Sequence, residues 1–167
     1  MNDDDGRPTP APVTVLGVGN PIMADDGTGL ELLGRVRAQR RDPRVEYVDG
    51  ATGGMELLPV VTEAKRLLVL DAVAGSTPGQ VVQLSGDQLP RLLSGKLSPH
   101  QVGLLDVFAA ARLLDREPEV IEVVGVVAAK VEMRLGLSGP VTGALGEAVG
   151  AAVQVIDTWL AELDGQL

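Results

Sequence analysis

Short, apolar, β-branched runs alternate along this chain with longer segments whose apolar residues recur at helical spacing. VTVLGV (Val13–Val18) predicts a buried strand. The segment from Thr28 to Arg40 and Arg41 predicts a helix, with Leu30, Leu33, Val36 and Arg37 on one side. RVEYVDG predicts a second strand, followed by a short helix in GGMELLPVVTEA, where Pro59 demands a kink or a boundary. RLLVLDAV (Arg66–Val73) is nearly continuous in apolar residues, as expected of a central strand covered on both faces. GQVVQLSG predicts a fourth strand, DQLPRLLSGK and SPHQVGLLDVFAAARLL two helices, and EVIEVVGVVAA (Glu119–Ala129) the last strand. From Pro140 to Leu163 a long helix carries Leu145, Val149, Ala152, Ile156, Leu160 and Leu163 on one stripe.

Strands alternating with helices imply right-handed crossovers. The expected fold class is therefore α/β, a doubly wound three-layer sandwich with a mostly parallel twisted sheet and helices on both faces. Residues 1–12, acidic and Pro-rich, are expected as a disordered tail, and 13–167 as one domain. In open parallel sheets, ligands bind beyond the carboxyl ends of the strands. The polar residues there are Asn20, Asp25 and Asp26 after the first strand, Asp49 after the second and Asp71 at the end of the third.

Composition narrows the chemistry. The net charge of −9 argues against nucleic acid and against an anionic membrane surface, since both call for clustered Lys and Arg. No cysteine is present, which removes disulfides, thiolate metal sites and a cysteine nucleophile. No signal peptide and no membrane-spanning apolar run is visible, so a cytoplasmic protein is expected. Gly17-Val18-Gly19 would suit a dinucleotide loop, but Ile22 stands where its third glycine belongs, and two aspartates would repel a pyrophosphate.

The single histidine, His100, lies in SPHQVG, where Ser98 suits an N-cap and Pro99 the first helical position. A helix start of this kind faces the ligand edge, so His100 can meet Asp26 and Asp71. The bland alternatives stay open: a lone surface or capped histidine, Asp25 capping the coming helix or binding its own loop's amides, Asp71 bonded to backbone, and DGATGG as a plain glycine turn. Ser98 and His100 are too close across a proline to form a nucleophile–base pair. Two carboxylates and an imidazole suit zinc or nickel, with positions left open.

GVGNPIMADDGTG, DGATGGMELL, VLDAV and SPHQVGLLD, in this order and spacing, resemble the hydrogenase maturation proteases. The resemblance runs from about Val13 to Leu163. It implies an endopeptidase that trims the C-terminal extension of a nickel–iron hydrogenase large-subunit precursor after nickel insertion. It also implies Asp26, Asp71 and His100 as the metal-binding and catalytic trio. Nickel would arrive with the substrate, no organic cofactor is implied, and the nickel-loaded precursor is the partner.

Two features vary from the family pattern. Asp26 stands where members carry either Glu or Asp. Ala51 replaces the second glycine of the usual Asp-Gly-Gly-Thr and would be strained if that position needs a positive φ. Asp49, Gly50, Thr52 and Gly54 are expected to form the substrate-recognition loop, with Asn20 and Asp25 supporting the site from behind. A precursor-docking or nickel-sensing chaperone that does not cut is the rival expectation.

Overall fold

The computed structural model describes residues 9–88 and 99–165. Its sheet has five strands, β1 (Val13–Val18), β2 (Val45–Ala51), β3 (Arg66–Val73), β4 (Val81–Ser85) and β5 (Val120–Val127), in the spatial order β2-β1-β3-β5-β4. All neighbours run parallel except β4, which pairs antiparallel with β5 at one edge. The helices are α1 (Thr28–Gln39), α2 (Leu58–Glu63), α3 (Pro99–Leu113) and α4 (Gly139–Asp164). Pro59 occupies the first turn of α2, where its missing N–H costs nothing, so it sets a boundary and not a kink. The expected tail falls largely in residues 1–8, outside the described residues. Of the helix expected in DQLPRLLSGK, Gly86–Gln88 is a 3₁₀ turn and the remainder lies outside the described residues.

Side chains alternate across each strand and sort the core into two layers. Val13 and Val15 of β1, Leu68 and Leu70 of β3, and Val124 and Val126 of β5 pack with α1 and α4. Leu16, Val18, Leu67, Val69 and Val123 pack with α2 and α3. β3 is buried along its whole length, as its apolar run implied. The α4 stripe is inward at Leu145, Val149, Ala152, Ile156 and Leu160, with Trp159 added and Leu163 only partly buried. In α1 the inward residues are Leu32, Leu33 and Val36. Of the expected stripe, Leu33 and Val36 are buried, but Leu30 is only half-buried and Arg37 is exposed; the helix is turned so that Leu32 faces the sheet in their place.

The order of connection fixes where a site belongs. β1 leads to β2 on one side, and β3 returns to the other side of β1, so the chain changes direction between β1 and β3. A crevice opens at such a point, beyond the strand ends.

Candidate active site

Two segments flank that crevice. After β1 the chain enters a tight loop and a 3₁₀ turn, Ala24–Gly27, before α1 begins. Gly19 makes the loop possible: its φ is +142°, and a Cβ there would lie 2.0 Å from the Asp26 carbonyl oxygen. Asn20 organises the turn, its N–H donating to the Asp26 carbonyl at 3.1 Å and its Oδ1 accepting from the Ile22 N–H at 3.2 Å. The 3₁₀ turn packs on β3. Gly29 sits so close that a Cβ would lie 2.1 Å from the Val18 carbonyl and 2.3 Å from that of Leu70. The turn that carries Asp26 is thereby held between the end of β1 and β3.

Asp71 was expected at the end of β3, but the strand continues to Val73. Its ladder with β1 stops at Gly17↔Leu70, while pairing with β5 goes on through Asp71↔Gly125. Asp71 is thus the first β3 residue beyond the reach of β1, which places it at the crevice even though it lies within the strand. It shares the parity of Leu67 and Val69, so it belongs to the face covered by α2 and α3. Asp26 and Asp71 are each only 5% exposed.

The third expected residue, His100, lies in the first turn of α3 as predicted. Its side chain is outside the described residues. The helix start is nonetheless located by its backbone: a Cβ on Gly103 would come 3.3 Å from Gly54 Cα. The beginning of α3 therefore lies against the loop that follows β2. Among the described residues, no three His, Cys, Asp or Glu side chains form a metal-holding group, the histidine of the expected trio not being among them.

The β2 loop is built locally. The Ala51 N–H donates to Asp49 Oδ1 at 2.9 Å, and the Gly53 N–H to the Gly50 carbonyl at 2.8 Å. Ala51 has φ +44°, the left-handed conformation that its replacement of glycine made costly. Asp49, Ala51 and Thr52 are exposed, Gly50 is buried and Gly54 is half-buried. The Gly19 N–H donates to the Ala51 carbonyl at 2.7 Å, tying this loop to the first.

Asp25 neither caps α1 nor binds its own loop's amides. It is fully buried, and its carboxylate accepts from the N–H groups of Ala129, Lys130 and Ser138 and from the Ser138 hydroxyl, at 2.7–2.9 Å. Burial by itself raises this carboxyl's pKa, but the donors at Ser138, Lys130 and Ala129 outweigh it and hold the group below its ordinary 3.8. Residues 129–138, between β5 and α4, thus border the site, which the linear pattern did not reveal. Ser138 stands where an N-cap of α4 belongs, but its hydroxyl goes to Asp25 and not to the helix.

Comparison with known proteins agrees with this architecture. A family model described as hydrogenase maturation protease matches residues 13–155. The hydrogenase 2 maturation protease of Escherichia coli (strain K12) is 35% identical over 129 residues, covering 75% of this chain and 79% of its own. The hydrogenase expression/formation protein HupD of Rhodobacter capsulatus is 36% identical over 154 residues, covering 90% of this chain and 73% of its own. Among solved structures, the hydrogenase maturating endopeptidase HybD from E. coli matches with a TM-score of 0.81 at 32% identity, over 87% of this chain and 92% of that one. Sequence order, sheet topology and relatives converge, and the chain belongs to the hydrogenase maturation protease family of endopeptidases.

Proposed function

We propose that this endopeptidase acts in the cytoplasm, removing the C-terminal extension of a nickel–iron hydrogenase large-subunit precursor once nickel has been inserted. The observation that carries the reading is the burial of two carboxylates, Asp26 in the turn that packs on β3 and Asp71 where β3 runs past β1, with the His100 helix starting against the adjoining loop.

The donor set suits a borderline divalent metal, and it leaves coordination positions for other ligands. Asp26, Asp71 and His100 would hold the ion from the enzyme side. A metal so held would polarise a scissile carbonyl or lower the pKa of an attacking water. Without a thiolate the trio is a weak site in competition with cellular ligands. Nickel therefore comes as part of the substrate, gripped already by the precursor, and the enzyme completes its shell. Selectivity follows from this, because a precursor lacking nickel cannot engage the trio. The Asp49–Gly54 loop, exposed at Asp49, Ala51 and Thr52 and packed beside the start of α3, contacts the precursor chain.

The test mixes chelator-treated enzyme, returned to chelator-free buffer, with nickel-loaded and nickel-free precursor. The mass of the precursor's C-terminus is then measured. Cleavage of the loaded form alone is expected. Asp26→Asn, Asp71→Asn and His100→Ala should each slow it by about 100-fold or more, while Ser98→Ala leaves it intact. Equal cleavage of both precursors, or activity that returns only when metal is added to the enzyme beforehand, overturns the nickel model. Binding without any mass change overturns the proteolytic one.

A further inference from the structure

A single carboxylate holds both ends of the ten-residue stretch from Ala129 to Ser138. Asp25 Oδ2 accepts from the Ala129 and Lys130 N–H groups at 2.8 and 2.9 Å, where the loop leaves β5. Asp25 Oδ1 accepts from the Ser138 N–H at 2.7 Å, where it enters α4, and the Ser138 hydroxyl adds a bond of 2.8 Å to Oδ2. The middle is fastened to the same turn. The Arg134 N–H donates to the Ile22 carbonyl at 2.9 Å, and the Ala24 N–H to the Arg134 carbonyl at 2.8 Å. The Asp25 N–H closes the frame on the Lys130 carbonyl at 3.0 Å. Start, middle and end of the loop are thus held to residues 22–25, next to Asp26.

What this frame presents is unusual for a surface loop. Val131 is 54% exposed, Met133 83% and Leu135 77%, beside Ile22 at 50%. These side chains cover no core, yet the backbone beneath them is ordered by a fully buried charge. Stability alone does not call for that arrangement, since burying a carboxylate carries a large desolvation cost that only its full set of donors offsets. Satisfied buried polar networks fix geometry, and a contact surface held in advance spares the entropy of ordering on binding.

We propose that Asp25 is a positioning residue: it holds the 129–138 loop as an ordered wall next to Asp26, presenting Val131, Met133 and Leu135 between the exposed Lys130, Glu132 and Arg134, and that wall receives the precursor's chain as it crosses the site. This rests on the proteolytic reading above. The wall acts on substrate binding, so its signature is in KM, with kcat left to the trio.

The experiment uses the full chain and the nickel-loaded precursor. Asp25→Asn keeps the side chain's size but turns an amide nitrogen toward backbone donors. Hydrogen exchange should quicken at residues 129–138 and at the 22–25 turn, with the sheet still protected. KM should rise about tenfold while kcat stays within about twofold. Met133→Ser combined with Leu135→Ser changes only exposed side chains, so it should raise KM by a similar factor with an unchanged melting temperature. A loosened loop with wild-type KM would assign Asp25 a purely structural role and overturn the inference. Where Asp25→Asn fails to fold, the double variant decides alone, and wild-type KM there also overturns it. If the wild-type enzyme cuts nothing, the proteolytic reading fails separately, and calorimetric binding of the same precursor still reports on the wall. Loss of a self-associated state in the double variant, with binding unchanged, would assign the surface to a second copy of this chain and reject the proposal.

Discussion

The two loops that approach the crevice from β1 and β2 are organised in opposite ways. Residues 19–27 are mostly buried and held by long-range bonds, with Asp25 reaching across to Ser138 and Gly19 fitted against Asp26. Residues 49–54 are exposed at Asp49, Ala51 and Thr52 and folded by neighbours two or three positions away, Asp49 to Ala51 and Gly50 to Gly53, with one long-range tie from the Gly19 N–H to the Ala51 carbonyl. The first loop is part of the core's geometry, and a change there is felt by the fold. The second is a locally folded turn, and Ala51 holds a left-handed conformation there with its side chain exposed. A loop that must place a carboxylate against a neighbouring strand needs tertiary support; one that meets a partner from solvent needs only a defined turn.

The strongest way to break this comparison is at Gly19. Gly19→Ala places a methyl group 2.0 Å from the Asp26 carbonyl in a conformation that L-residues rarely adopt, so about 3 kcal/mol or more of stability should be lost. Urea unfolding of the variant measures this, and a wild-type midpoint would show that the first loop yields as easily as the second.

The β2 loop should respond in the other direction. Ala51→Gly relieves the positive φ and should stabilise by about 0.5–1 kcal/mol, the relief of strain exceeding the added chain entropy. Cleavage should be unchanged, because the Ala51 N–H and carbonyl keep their partners. A lower melting temperature would mean that the loop's conformation differs from the one described.

The smallest effect lies away from both loops and serves as their reference. The Arg44 guanidinium bonds the Asp42 carboxylate side-on, with further help from the Arg44 N–H, and lowers the Asp42 pKa from 3.8 to about 2. A depressed carboxylate contributes stability above its unfolded pKa and loses it as pH falls through the folded value. Asp42→Asn should therefore cost less than about 1 kcal/mol near neutral pH, and the gap from wild type should close as pH falls from about 4 toward 2. A gap that persists at the acid end would show that the pair acts through shape and not charge.

Local pattern alone was enough for the elements whose chemistry is local. The β1 and β3 runs, the α4 stripe and the glycine loop followed by aspartates are legible because burial on both faces, helical periodicity and tight turns each leave a mark over a few consecutive residues. The succession of elements also led to the expectation that Asp26 and Asp71 lie along one edge, since strands joined by crossovers run parallel and share the edge of their carboxyl ends. Tertiary structure alone decided the rest. That Asp71 reaches the crevice from inside its strand depends on where β1 stops pairing, a property of two strands together. Asp25 and Ser138 are separated by 113 residues, and neither carries a periodic signal that names the other. Their bond exists because the β5–α4 connection returns over the first loop, and a buried carboxylate can be satisfied only by whatever donors the completed fold delivers to it.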